Sequence, residues 1–401
     1  MFEWVTHGLK MRKSACTQKH IGAVIALAFL ILSTRAQAQE GSSGKPEASA
    51  GFQDGFFILS EDGLFSLKAR FMGQLRLDLE QPGEEGADLE GAFRIRRGRA
   101  VFSGRALDPA LSWKLQLGFE QGEVSLKDLY ADWAVSESLR LRAGQWKRPF
   151  SRQFLTSGFD LEIIDRAITH NFFEVSRDIG LAIHNGTPAG VEYALGVFNG
   201  TGDGARLSGE VAVDPVTGEG DIVGGKFSNV PRRLHPMVVG RLAWNQEGMD
   251  GYSEADLKGG DLRVAVGASA LADFDGDNDD ASTLQAEVDF ALKVHGFSAT
   301  GAAYAATAQT EGSFKSQELD ATGFHVQTGV VLAQMFQPTA RFALIVPEGP
   351  DNDLREITLG FSVYVYEHDL KLQLDASQLS TQSPDGDVDD LRVRTQLQLA
   401  F

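Results

Sequence analysis

Leu391–Phe401, the last stretch of the chain, reads LRVRTQLQLAF. Leu391, Val393, Leu397, Leu399 and Phe401 fall on one face of an extended backbone, while Arg392, Arg394, Gln396 and Gln398 fall on the other. Side chains of a strand alternate across the sheet, so this segment predicts a strand with one apolar and one polar, cationic side. Working back toward the amino end, the same alternation recurs. Sixteen such segments are read, at about 64–79, 91–106, 110–120, 124–135, 138–146, 177–185, 190–199, 235–247, 259–271, 282–295, 296–308, 321–334, 336–346, 354–366, 368–379 and 389–401. Most are long enough for a tilted strand to cross a bilayer.

The connections are phased. A transmembrane barrel alternates short turns on one side with longer loops on the other. Here Asp108-Pro109, Ser136-Glu137, Asn185 to Ala189, His295-Gly296, Gln337-Pro338 and Glu367 to Asp369 are short. Those between them are mostly longer: Gln81 to Glu90, Trp146 to Ser176, Gly200 to Leu234, Ala272 to Ser282, Gln309 to Asp320, Pro347 to Asp353 and Ser380 to Asp390. The compact Gln121 to Glu123 and the long Gly248 to Lys258 break the phase. A soluble β-sandwich alternates too, but it needs neither sixteen long segments nor phased loops. In lipid an open sheet edge leaves backbone groups unpaired at several kcal/mol each, so the last strand is expected to pair with the first, Phe65 to Leu79. The expectation is an all-β, antiparallel transmembrane barrel over 64–401.

At the other end, Arg12, Lys13 and Lys19 precede an apolar run from Ile21 to Leu32 and the small-residue site Ala36-Gln37-Ala38. These are the parts of a secretory signal, expected to span 1–38 with cleavage before Gln39. Residues 39–63 read as a short leader, flexible over Gly41 to Ala50; Met11 is an alternative start. The single cysteine, Cys16, lies inside the signal, so the mature chain offers no disulfide, thiol nucleophile or thiolate metal site. Removing the five basic residues and one acidic residue of 1–38 leaves 32 basic against 54 acidic, a net charge of −22. That excess is uneven. From Phe65 to Arg177 there are 17 Lys and Arg against 16 Asp and Glu, and from Asp178 to Phe401 there are 14 against 33.

The basic residues include Arg70, Arg76, Arg94, Arg96, Arg97, Arg99, Arg105, Arg140 and Arg142. If their apolar neighbours face lipid, Arg70, Arg76, Arg94, Arg96, Arg140 and Arg142 point inward. Arg97 and Arg99 are out of phase with Phe93 and Ile95. A bulge near Arg96-Arg97 restores them to the interior, and arginine facing lipid at the midplane costs about 2–4 kcal/mol, which favours the bulge. Guanidinium stays charged and presents a planar fork of donors, the chemistry that suits an oxyanion. Asp128 and Asp132 can pair with these cations and keep an anion from binding too tightly to leave.

A long connection, within Leu139 to Leu181, and its flanks contain GQWKRPFS, LTSGFDLEIIDRA and SRDIGLAIHNG. Together with FRIRRGRAVFSGRAL and LKDLYADW upstream, these motifs resemble the phosphate-selective porin O and P family of Gram-negative outer membranes, over about Phe65 to Phe401. The resemblance implies a 16-stranded trimeric barrel whose third outer loop folds into the lumen, with arginines lining an anion path. On that pattern Lys147, Arg148, Arg152, Arg166 and Arg177 belong to a constriction loop, whose Phe150, Phe154, Phe159, Phe172 and Phe173 give it something to bury against the inner wall. Phe401 resembles the terminal aromatic read by the barrel-assembly machinery.

Other chemistry is thinly represented. His170, His184, His235, His295, His325 and His368 are scattered, with no HExxH, GxSxG or P-loop pattern, so no enzyme is expected. The loop Asp273, Asp275, Asp277, Asp279 and Asp280 fails the calcium-loop template, because Gly276 is misplaced and Leu284 stands where the bidentate Glu belongs. The expected protein is an outer-membrane porin passing small, phosphate-like anions by diffusion, with no cofactor and no metal. Its expected partners are outer-membrane lipid, the assembly machinery and two further copies in a homotrimer, and not nucleic acid. The acidic total keeps a general or cation-preferring porin open as an alternative, and a plugged structural or adhesive barrel is another.

Overall fold

The computed structural model describes residues 48–401 except 85, 121, 174–175, 187–188, 201, 203–205, 214–219, 229, 231–235, 275–281, 313–314 and 385. The expected signal and Asp275 to Asp280 lie outside the described residues.

Two short strands come first, β1 (Ala48–Phe52) and β2 (Phe56–Ser60), paired as a hairpin in residues assigned above to the leader. Then follow β3 (Ser66–Gln81), β4 (Glu90–Ala106), β5 (Asp108–Glu120), β6 (Glu123–Ala134), β7 (Arg140–Lys147), β8 (Arg177–His184) and β9 (Gly190–Phe198). The separate hairpin β10 (Arg206–Val213) and β11 (Gly220–Ser228) occupies the next connection. The remaining strands are β12 (Met237–Asn245), β13 (Arg263–Asp273), β14 (Ser282–Val294), β15 (Phe297–Gly312), β16 (Lys315–Val330), β17 (Phe336–Pro347), β18 (Leu354–Tyr366), β19 (Leu370–Thr381) and β20 (Val388–Ala400).

Strands β3–β9 and β12–β20 pair in antiparallel order, and β9 pairs with β12 across the β10–β11 excursion. The sheet closes where β20 meets β3, from Leu391↔Gln81 to Ala400↔Met72. At the seam the Phe71 amide donates to the Phe401 carbonyl at 2.8 Å and the Phe401 amide returns to Phe71 at 2.9 Å. This is a closed 16-strand antiparallel barrel. The seam is shifted outward from the expected Phe65–Leu79, because the start of β3, Ser66–Ala69, pairs with β2 instead.

Burial is inverted relative to a water-soluble protein. Along β20, Gln396 and Gln398 are fully buried while Leu397 and Leu399 are 44% and 48% exposed. The polar face lines the interior and the apolar face points outward, the arrangement expected of a closed barrel whose exterior faces an apolar medium. Phe401 lies on the exposed side as expected, its ring 6.0 Å from that of Phe71.

Most of the phased turns are present, with three departures. Gln337-Pro338, expected to be a short turn, lies within β17, where Gln337 pairs with Ser362 and Pro338 with Phe361 of β18, and the turn falls just before it at 333–335. His295 and Gly296 both adopt positive φ (49° and 88°), the twisted geometry that suits a two-residue hairpin. Gln309 to Asp320, expected to be a loop, is strand: β15 and β16 stay paired through Gly312↔Lys315. Beyond the lipid band both faces of a strand can be polar, so alternation no longer marks it. The 246–262 connection on the short-turn side is long, as the sequence indicated.

Candidate functional site

Strand β4 carries the bulge. Gln74 pairs with Arg97 and Leu75 with Ile95, so Arg96 is the inserted residue. The insertion flips the phase: Phe93 and Ile95 are exposed, whereas Arg97 and Arg99 are buried.

These arginines meet a carboxylate from the β7–β8 connection. Asp165 accepts from Arg76 at 2.5 Å and Arg97 at 2.9 Å, with Arg96 at 3.3 Å and Arg394 at 3.4 Å. One carboxylate thus serves four guanidiniums from β3, β4 and β20. Burial alone would raise the Asp165 carboxyl, but Arg97, Arg96, Arg76 and Arg394 outweigh it and hold the group well below the usual range. Asp78 additionally engages Arg76 and Arg94, and Asp375 engages Arg394.

The connection 148–176 contains two single-turn helices, α1 (Arg152–Leu155) and α2 (Ile168–Phe172). Pro149 lacks an amide for the ladder and stands two residues past the end of β7. Lys147 Nζ donates to the carbonyls of Phe154, Leu155 and Thr156 at 2.6–3.0 Å. Arg166 donates to those of Gln153, Phe154 and Thr156. Cations are favoured at the unsatisfied carbonyls of a helix end, yet neutral carbonyls do not cancel their charge. Burial, reinforced by Arg97, brings Arg166 down to about 9, still cationic at neutral pH.

The rest of the segment bonds to inward-facing side chains of β14–β20. Arg152 reaches Asp289 at 2.6 Å, Thr169 meets His325 Nδ1 at 2.9 Å, and Ile168 donates to Glu356 at 2.8 Å. Lys371 donates to the Leu161 carbonyl and Gln398 to that of Phe159. Phe150, Phe154, Phe159 and Phe173 are buried as expected, while Phe172 is 42% exposed.

Between this segment and β3–β7 lies a cavity of about 580 Å³. Arg70, Arg96, Arg97, Arg99, Lys114, Lys127, Arg142, Lys147, Arg166 and Arg177 line it, against Glu120, Asp128 and Asp160. A second cavity of about 580 Å³, lined also by Arg105, Arg140, Asp132 and His184, shares Lys114, Tyr130 and Arg142 with the first. Ion pairs space the cations along the wall: Lys114 and Arg177 flank Asp128 at 2.9 and 2.7 Å, and Arg99 meets Glu120. Arg140 and Arg142 share Asp132 with His184. The Arg142 guanidinium lies 4.3 Å from the centre of the Tyr130 ring.

Most of the residues singled out from the sequence converge here, Arg70 among them although it is also paired with Asp54 and Asp369. Four do not. Arg76 is held by Asp78 and Asp165 and does not contribute to the cavity lining. Arg94 is bound to Asp78 and does not contribute to the cavity lining. Arg148 packs against Ser176 and Met237, and Arg152 is tied to Asp289, both away from the cavity. Sequence reasoning missed Asp165, Lys114, Lys127 and Glu120. Lys114 and Lys127 alternate correctly with Leu115 and Leu126 and could have been found; Asp165, in LEIIDRA, carried no periodic signal.

A closed barrel with an apolar exterior and a charged, water-accessible interior is an outer-membrane porin channel. A family model for the phosphate-selective porin O and P matches residues 69–401, and the chain belongs to that family. The family and fold place the protein in the Gram-negative outer membrane. A relative described as an uncharacterized protein of Aquifex aeolicus (strain VF5) is 23% identical over 345 residues, 76% of this chain and 80% of that one. Among solved structures, the anion-selective porin of Comamonas acidovorans is similar with a TM-score of 0.57 at 12% identity, covering 84% of this chain and all of that one. The outer-membrane channel DcaP of Acinetobacter baumannii gives 0.56 at 11% identity, covering 88% and all. At these identities the structural likeness establishes the fold.

Proposed function

We propose that this porin passes small anions by diffusion, phosphate or related oxyanions preferred, and that segment 148–176 lies within the lumen and narrows it. One observation carries the reading: ten cationic side chains face three carboxylates around the cavity beside β3–β7. The hydrogen bonds of Arg166 to backbone carbonyls support it, since its charge is not cancelled locally. So does the buried contact of the segment with inward-facing side chains of β14–β20. Arginine offers a fork of donors that fits a tetrahedral oxyanion, and the interleaved Asp128 and Glu120 keep occupancy short enough for release. The oxyanion preference follows from this chemistry and from the family.

The test is competition. Chloride current through the purified protein in a planar bilayer should fall when inorganic phosphate is added at constant ionic strength, and fall less in the Arg97→Gln, Arg166→Gln double variant. Chloride current indifferent to phosphate would remove the oxyanion preference. The channel is further proposed to assemble as a homotrimer after removal of 1–38 and insertion by the assembly machinery through Phe401; cross-linking in native membranes tests the stoichiometry.

A further inference from the structure

The 246–262 connection on the short-turn side is where the barrel departs from its own pattern, and its middle is buried: Glu254, Ala255 and Asp256 are each under 5% exposed. It turns inward and meets the segment that comes from the opposite side. The Glu254 amide donates to the Asp160 carbonyl at 3.2 Å, and the Glu162 amide donates to the Glu254 carboxylate at 2.9 Å. Gln327 of β16 donates to both carboxylates, at 2.8 Å to Glu254 and 3.1 Å to Glu162. Glu162 also accepts from Gln337 of β17 at 2.6 Å and from Ser298 of β15. Two buried carboxylates therefore share one amide donor where two segments of opposite origin touch.

We propose that residues 246–262 form a latch that holds segment 148–176 against β14–β20, and that the Glu162 carboxyl, set against Glu254, makes it pH-sensitive, closed in acid and released in alkali. The inference rests on the reading that segment 148–176 narrows the lumen.

The charges around the pair do not neutralise it by contact. From β14, Lys293 donates to the Asp250 carbonyl, and from β19, Lys371 donates to the Leu161 carbonyl and lies near His368. Asp160 and Arg166 lie on the segment itself; Asp256, on the latch, is paired with Arg263 of β13. From β17, Arg341 is occupied by Glu356, and Tyr364 of β18 donates to Gln337. Burial and then the neighbouring Glu254 charge push Glu162 up from an ordinary 4.5 to about 7. In the released, hydrated state the group returns to the ordinary range. The latched state therefore binds the extra proton, so its advantage is full below the ordinary range and is lost as the pH rises through about 7. The gap between 4.5 and about 7 corresponds to a roughly 300-fold change in the latched-to-released ratio.

The test is single-channel conductance of the purified protein in planar bilayers at pH 5 and pH 8.5. The natural protein should step to a larger conductance at pH 8.5, Glu162→Gln should stay at the acid level at both values, and Glu254→Gln should shift the pH of the step. Conductance equal at the two pH values in the natural protein, or a step that survives in Glu162→Gln, would overturn the latch while leaving the channel standing. Silence at both pH values would instead overturn the channel reading on which the latch rests. Glu254 does not contribute to the cavity lining, so the reversal potential of Glu254→Gln should match that of the natural protein.

Discussion

The two sides of the barrel treat positive charge differently. On β14–β20, Arg341 and Arg394 each sit on a carboxylate of the neighbouring strand, Glu356 and Asp375, and Arg241 of β12 reaches Asp289. There the segment 148–176 packs directly onto the wall. On β3–β7 the cations outnumber their carboxylates and border open volume. A buried charge must be paired or hydrated; one side satisfies this with protein, and on the proposed function the other leaves it to solvent and permeant ions. On that proposal selectivity belongs to one side of the lumen, and the net charge of the chain says little about it.

The largest expected effect comes from removing cationic charge that borders the cavity. Arg97→Gln with Arg166→Gln should cut the anion-to-cation permeability ratio by about tenfold, since ~1.4 kcal/mol at the narrow point corresponds to a factor of ten. Bi-ionic potentials measure this. Next, Asp165→Asn should raise the anion preference and lower the unfolding free energy by about 3 kcal/mol, because four guanidiniums lose a partner they share. Denaturant titration of the detergent-solubilised barrel reads the stability change. Deleting Phe401, which secures the seam joining the two sides, should reduce the heat-modifiable assembled species without changing export across the inner membrane. Arg241→Gln, on the paired side, should cost stability and leave the reversal potential in place; a shift as large as that of the Arg97 variant would break the comparison. Smallest of all, on the expectation from the sequence that they belong to an outer loop, replacing Asp275, Asp277 and Asp279 by Asn should shift the potential negligibly, as charges beyond about 8 Å are screened at about 0.15 M salt.

Much of this was legible in the sequence, for identifiable reasons. A strand in lipid has one dry and one wet face, so alternation revealed the barrel, its closing strand and even the bulge at Arg96, where phase and charge conflicted. What was not legible depended on contacts between distant segments. Arg148 and Arg152 are indistinguishable by type from Arg166, yet two of them anchor the segment and one faces the cavity. Asp165 gains its importance only when β3, β4 and β20 come together around it. Strands β15 and β16 ran further than expected because, past the membrane, nothing requires alternation. The misfit of Gly248 to Lys258 was visible, but its meeting with Glu162 was not.

The central claim is that local cationic charge beside β3–β7 governs permeation in a chain whose expected mature charge is −22. The measurement that addresses it most directly is the zero-current potential of the unmodified protein in a planar bilayer under a potassium chloride gradient. The account predicts a sign set by chloride; a sign set by potassium would contradict it and leave only the barrel.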